Sequence, residues 1–332
     1  MGYHKHMQVN TETSQLIQEI KRLKKQKKAI VLAHNYQNPE IYEIADFIGD
    51  SLGLCQKAQT TKAKMIVFSG VYFMAESAAI LNPNKKVVIP DLNAGCAMAD
   101  MISVEQLKNV KKKYPKVPVV AYVNTTAEIK AEADICCTSA NAIAIVKSLS
   151  SKKVIIIPDR NLAAYIASKV PGKEILSWDG YCPIHQRLTP EYIKQGRSQH
   201  PNAKIIAHPE CPLSVIKAAD YVCSTTQMIA TCKTDPSSEF IILTECGMIK
   251  RLQRELPHKK FYSLCSLCFD MKKNTLQKIK EALIYEKHEI IIPEEIKQKA
   301  LKSLTKMFEV LPAKSTRNKS ATPHSSSFTI LK

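Results

Sequence analysis

The sequence predicts an α/β protein: three copies of one αβα unit with parallel sheets, set around a pseudo-threefold axis. Three observations predict it. Short β-branched runs alternate with helical stretches, a segment beginning Ala-Asp occurs three times, and one cysteine recurs at constant spacing.

The runs AIVLAH, KMIVFSG, KKVVIPD, PVVAYVN, KKVIIIPD, KEILSW, AKIIAHPE, EFIILTE and KKFYSL are near-continuously apolar. Strands of that kind are covered on both faces, as in parallel sheets flanked by helices. The segments ADFIGDS (45–51), ADICCTS (133–139) and ADYVCST (219–225) start 88 and then 86 residues apart. Each ends 17 residues after a polar residue that closes a strand: His34 to Ser51, Tyr122 to Ser139, His208 to Thr225. Strand ends at Asp159 and Glu245 are also 86 apart. Ser103, Thr189 and Thr275 follow at intervals of 86 and read as helix N-caps, with Pro190 at a first helical position. These spacings divide the chain into Rossmann-like repeats at 1–102 (with an N-terminal helix), 103–188 and 189–311 (with C-terminal helices). The Ser/Thr/Lys-rich stretch 312–332 reads as a disordered basic tail.

Cys96, Cys182 and Cys268 are spaced by 86 and 86. Equivalent positions converge at a pseudo-threefold axis, so three thiolates would face one another as a metal site. Cys265 has no counterpart in the other repeats, so the C-x-x-C of YSLCSLCFD reads as accidental. Cys55, Cys136, Cys137, Cys211, Cys223, Cys232 and Cys246 read as small buried hydrophobes. Three cysteines can hold zinc with an open fourth position, which His185 could complete, or a [4Fe–4S] cluster with one iron free of protein ligands. All-thiolate ligation favours the cluster. Its open iron is a Lewis acid suited to dehydration.

At the carboxyl ends of the first strands stand His34-Asn35-Tyr36, Tyr122-Val123-Asn124 and His208-Pro209-Glu210. Ligands of open α/β sheets bind beyond those ends. Ser51, Ser139 and Thr225 read as helix starts, where free N–H groups and the helix dipole attract anions. Three such seats around one metal suit a substrate carrying several carboxylates or a phosphate.

The net charge of +18 is partly peripheral: residues 1–30 carry +5 and residues 312–332 carry +4. Basic and aromatic residues are not interleaved as in strand-stacking grooves, so the charge reads as a solvated face and not as a nucleic-acid surface. The N-terminus MGYHKHMQVN has no apolar core of a signal peptide, and eleven cysteines are an odd number, which points to reduced thiols in the cytoplasm. No apolar run approaches the roughly 18 residues of a membrane helix. A zinc-organised, basic, non-enzymatic binding protein is the competing class.

The stretches AHNYQ, GDSLGL, FMAE, DLNAGCAMAD, YVNTTAEIKAEADICCTSANA, WDGYCPIH, AHPECP and CFDMK together resemble the quinolinate synthase family, from about residue 14 to about residue 310. The resemblance implies three αβα domains about a pseudo-threefold axis and a [4Fe–4S] cluster on Cys96, Cys182 and Cys268. It implies condensation of iminoaspartate with dihydroxyacetone phosphate to quinolinate, losing phosphate and two waters, with L-aspartate oxidase as the supplier of iminoaspartate. Carried over by position, it makes His34, Tyr36, Tyr122, Asn124, His208 and Glu210 the active-site group, with Ser51, Ser139 and Thr225 binding carboxylate or phosphate. Glu210 is then the general base, and Tyr36 and Tyr122 relay protons or hold intermediates. Two departures stand out: Ser69 and Tyr72 replace an expected Cys and His, and Cys223 replaces a Gly.

Overall fold

The computed structural model describes residues 11–264, 266–310 and 327–331, so Cys265 and most of the tail lie outside the described residues. Thirteen described strands form three sheets: β1 (Ala29–His34), β2 (Phe47–Gly49), β3 (Met65–Ser69) and β4 (Lys86–Val88) in the first; β5 (Val119–Tyr122), β6 (Ile135–Cys137), β7 (Lys153–Ile157) and β8 (Glu174–Trp178) in the second; β9 (Lys204–Ala207), β10 (Tyr221–Val222), β11 (Glu239–Leu243) and β12 (Lys260–Ser263) in the third; and β13 (Phe328–Leu331). The orders β2-β1-β3-β4, β6-β5-β7-β8 and β10-β9-β11-β12 are one topology repeated, and the named strands pair in parallel throughout.

The recurring Ala-Asp acquires a physical reason in this topology. Asp46, Asp134 and Asp220 each accept a hydrogen bond from the backbone N–H fifteen residues earlier, at Val31, Val119 and Ile205, over 2.7, 2.8 and 2.9 Å. Their own N–H groups return bonds to the same three carbonyls. Each aspartate therefore fixes the register of the second strand on the first. It needs a short acceptor at that one position.

Equivalent helices close the ring. Ser103 caps Val104–Lys113 with a full capping box, and the Thr275 hydroxyl caps Leu276–Tyr285. Thr189 stands at the cap position of Pro190–Gln199 without a side-chain cap bond. Ile193 of that helix packs with Ile205 and Ile241 of the third sheet. Leu276, Ile279 and Leu283 pack with Val31 and Val67 of the first sheet, beside Ile17 and Ile20 of the N-terminal helix Thr11–Lys27. A helix assigned to the third repeat thus covers the sheet of the first.

The tail departs from the disordered reading over its last described residues. Phe328–Leu331 adds in parallel to the edge strand β8, pairing Phe328 with Ile175 and Leu331 with Trp178. Its apolar Phe-Thr-Ile-Leu run fits an open sheet edge, where unpaired N–H and C=O groups template another strand, and Leu331 is buried by it. No helix among the described residues is long and apolar enough to cross a membrane.

Candidate active site

His34 closes β1, Tyr122 closes β5 and His208 follows β9, so the carboxyl ends of all three sheets present their side chains to one cavity of about 210 Å³. The twelve residues singled out in the sequence line it together: Cys96, Cys182 and Cys268; His34, Tyr36, Tyr122, Asn124, His208 and Glu210; Ser51, Ser139 and Thr225. Tyr72 is absent from the lining, although its neighbours Val71 and Phe73 contribute to it. Ser69 is buried and donates to Gln37 Oε1.

The three cysteines sit in matching local structures beyond the fourth strand of each sheet. Cys182 and Cys268 are the N-cap residues of the short helices Pro183–Gln186 and Phe269–Lys272, and Cys96 precedes a turn at Ala99–Met101. In each case the backbone amide three residues on, at Ala99, His185 or Met271, favours the thiolate. Burial works the other way, pushing the Cys96 thiol up to about 12 and raising Cys182 and Cys268. Without a positive partner these thiols stay protonated; a bound metal is what would ionise them. Gly180 helps fix Cys182: its backbone bonds Pro158 and Arg160, and an added Cβ would lie 2.5 Å from the Pro158 carbonyl oxygen.

The spread of the sulfurs bears on what they could hold. Three thiolates on one zinc lie roughly 3.8 Å apart, given zinc–sulfur bonds of about 2.3 Å in a tetrahedron. Among the described residues, the one group of three or more that could hold a single ion is Cys182, His185 and Glu210, whose ligand atoms lie within 4.8 Å of one another. Cys96 and Cys268 line the same cavity outside that group.

Around them runs a buried polar network drawn from all three repeats. Tyr122 donates its hydroxyl to Glu210 Oε1 at 2.5 Å. His185 Nδ1 lies 2.8 Å from Glu210 Oε2, an ion-pair distance at an angle that falls short of a hydrogen bond, and its ring stacks on His208 at 4.8 Å. Burial pushes the Glu210 carboxyl up, but the His185 and His208 rings and the Tyr122 hydroxyl outweigh it and hold the carboxyl well below its ordinary range. Of these, His208 is itself lowered to about 3, chiefly by burial. Burial also lowers His34 to about 3, with His208 and Lys272 adding to the effect.

Both neutral histidines have the same orientation. His34 Nδ1 accepts from the Tyr36 N–H at 3.2 Å, and His208 Nδ1 accepts from the Glu210 N–H at 3.4 Å. The proton of each ring is therefore on Nε2, available to donate. The tyrosines remain phenols, because burial and the Glu210 charge raise both Tyr36 and Tyr122 well above their ordinary value. Asn124 Oδ1 is buried without a partner among the described residues, a polar atom that a bound molecule could satisfy.

The hydroxyl seats differ from the simple reading of three helix starts. Ser51 and Thr225 are the first residues of Ser51–Thr60 and Thr225–Thr234, and the caps are their predecessors Asp50 and Ser224. In the second repeat the helix begins later, at Ala142, because Asn141 turns back to accept from the Thr138 N–H. Ser139 lies in that turn and lines the cavity, and it is among the groups that pull the Tyr122 phenol down against burial. At the first seat an anion would also meet the Asp50 carboxylate, which already accepts from the Gly53 N–H at 2.9 Å.

Residues 18–309 match the family described as Quinolinate synthetase A protein. Over 297 residues the chain is 56% identical to the quinolinate synthase of Alkaliphilus metalliredigens (strain QYMF), covering 89% of this chain and 98% of that relative. It is 46% identical over 294 residues to that of Caldicellulosiruptor bescii, covering 88% and 97%. With quinolinate synthase 1 of Methanosarcina acetivorans it shares 46% over 301 residues, covering 90% and 99%. The chain belongs to the quinolinate synthase family. It is therefore an enzyme of NAD biosynthesis.

Some residues of the quinolinate synthase cavity are not picked out as site residues by the repeat. Glu245 appears in the sequence as a strand end, yet it lines the cavity, accepts from the Cys268 N–H at 3.2 Å and pairs with Lys272 at 3.3 Å. It thereby anchors the loop that carries a candidate ligand. Asp50 and His185 line the cavity too. Their counterparts Thr138 and Ser224, or Ala99 and Met271, differ in chemistry, so periodicity carries no signal for them.

Proposed function

We propose that this cavity condenses iminoaspartate with dihydroxyacetone phosphate, releasing phosphate and two waters, with an open-site [4Fe–4S] cluster on Cys96, Cys182 and Cys268. The observation that carries the reading is the convergence of three equivalent cysteines on the same cavity as an ionised, buried Glu210. When bound, such a cluster supplies a Lewis-acidic iron that polarises hydroxyl or carboxylate oxygens and so favours loss of water.

The chain's own groups divide the remaining work. Glu210, ionised and hydrogen-bonded by Tyr122, takes protons at Oε1 or Oε2 as general base. His34 and His208, neutral with Nε2 protonated, donate to substrate oxygens without adding charge. Tyr36 and Tyr122 stay protonated and donate or pass on protons. Ser51, Ser139 and Thr225, with Asn124, hold carboxylate or phosphate oxygens. His34, Tyr36, Tyr122, His208 and Glu210 are buried, which strengthens their bonds to a bound substrate. The anionic substrates, a supply of iminoaspartate by L-aspartate oxidase and a cytoplasmic location belong to the same reading.

Protein purified and reconstituted without oxygen should contain iron and sulfide, absorb broadly near about 400 nm and form quinolinate from the two substrates. Absence of quinolinate from fully loaded protein would overturn the reading. The proximity of Cys182, His185 and Glu210 supports one alternative, a mononuclear zinc site. A colourless preparation containing one zinc, with binding but no turnover, would favour it.

A further inference from the structure

Thr244, directly after β11, is buried and does not itself line the cavity. Its hydroxyl nevertheless touches two residues that do. Oγ1 lies 2.5 Å from the Tyr36 hydroxyl and 2.8 Å from His185 Nε2. His185 in turn reaches Glu210 through Nδ1, and Glu210 holds Tyr122. One continuous polar path thus runs Tyr36, Thr244, His185, Glu210, Tyr122, crossing all three repeats.

The chemistry of a threonine fits that place closely. A hydroxyl has one proton and two lone pairs, so it can accept from one neighbour while donating to the other. With the His185 proton on Nδ1, 2.8 Å from Glu210 Oε2, Nε2 would be an acceptor, to which Thr244 could donate while accepting from Tyr36. No other described protein group bonds the Tyr36 hydroxyl, and Tyr36, His185 and Glu210 are all buried. The equivalent positions in the first two repeats are Gly70 and Pro158, neither of which has a side-chain donor or acceptor. The third repeat alone supplies a hydroxyl there, where the three-fold pattern must be broken to join two unlike site residues.

We propose that Thr244 is a positioning residue of this site, which holds the Tyr36 phenol aimed at the cavity and the His185 ring turned toward Glu210. The inference rests on the proposed condensation only for its kinetic consequence; the geometric consequence stands apart from it. A shift of about 1 Å in a reacting group is enough to cost on the order of 100-fold in rate.

The test compares Thr244→Val, which keeps shape and removes the hydroxyl, with Thr244→Ser, which restores it. Expected for valine is a kcat lower by about 10- to 100-fold, with KM, cluster content and melting temperature unchanged, and a return to within about threefold of wild type for serine. A valine variant that turns over like wild type would overturn the proposal. So would parallel losses of KM, melting temperature and cluster that serine fails to repair, since that pattern belongs to packing. Thr244→Ala makes the same measurement if the valine chain does not fold. A crystal structure of whichever variant folds reads the claim without turnover: His185 Nδ1 should draw away from Glu210 beyond the 2.8 Å of the wild type, and an unchanged His185–Glu210 geometry would refute the positioning role. Failure of wild type itself to make quinolinate would count against the proposed function and leave this structural comparison decisive for Thr244.

Discussion

The Tyr122 hydroxyl meets Glu210 Oε1 at 2.5 Å, joining the last residue of β5 to the loop after β9. Two repeats thus share one short bond at the centre of the cavity. A carboxylate so held keeps its charge despite burial, because the groups around it stabilise the ionised form more than the loss of water opposes it. Glu210→Gln preserves the shape and an acceptor for Tyr122 but removes the base. Turnover should fall at least ~100-fold while iron and sulfide content stay at the wild-type level. Steady-state kinetics beside metal analysis checks both halves of that statement.

The repeat distinguishes Cys268 from Cys265, three residues away. Cys268→Ser should abolish cluster incorporation, as should Cys96→Ser and Cys182→Ser, whereas Cys265→Ser should retain it. Iron and sulfide assays after anaerobic purification decide the matter; equal losses at positions 265 and 268 would contradict it.

Glu76 gives a pH signature of stability. It is buried on the helix Tyr72–Leu81 of the first repeat and accepts from the Ala127 N–H at the start of the second repeat's helix Ala127–Glu132, over 3.0 Å. Burial raises its carboxyl from 4.5 to about 7, against the pull of the buried Lys130. Between those two values the folded chain keeps a proton that the unfolded chain has released, so this term falls as pH rises through about 4.5 to 7. The shift corresponds to about 3 kcal/mol at most. Denaturant midpoints across that range should slope down more steeply in wild type than in Glu76→Gln, whatever the variant's absolute stability. Parallel slopes would remove Glu76 as the source.

Repetition made much of this architecture legible. The three aspartates of the Ala-Asp segments do the same job in every copy, the cysteines line one cavity from matching positions, and Ser103 and Thr275 both cap helices, so sequence spacing carried their positions. What spacing did not carry was the departure of one copy from another. Thr244 answers to Gly70 and Pro158, and His185 to Ala99 and Met271, so neither repeats a chemistry that could be noticed. The late start of the helix after Ser139 follows from the side chain of Asn141 bonding back to Thr138, a local turn that the periodic pattern hides. The strand at Phe328–Leu331 was masked by its polar surroundings: composition averaged over 312–332 outweighs four residues whose pairing depends on a distant sheet edge.

Ser139 tests whether the hydroxyl seats hold anions or only shape the chain. Because Asn141 is the cap of Ala142–Ser148, removal of the Ser139 hydroxyl deletes no helix cap, and the usual cap penalty of about 0.5–2 kcal/mol does not apply. Ser139 instead lines the cavity. Ser139→Ala should therefore leave melting temperature and cluster content unchanged while weakening the affinity for pyridine-2,3-dicarboxylate by about 10- to 100-fold, the scale of one hydrogen bond to a charged group. Calorimetric titration and thermal melting on one anaerobic sample separate the possibilities. A lowered melting temperature with unchanged affinity would make Ser139 a structural residue of the turn and leave Ser51 and Thr225 to account for anion binding.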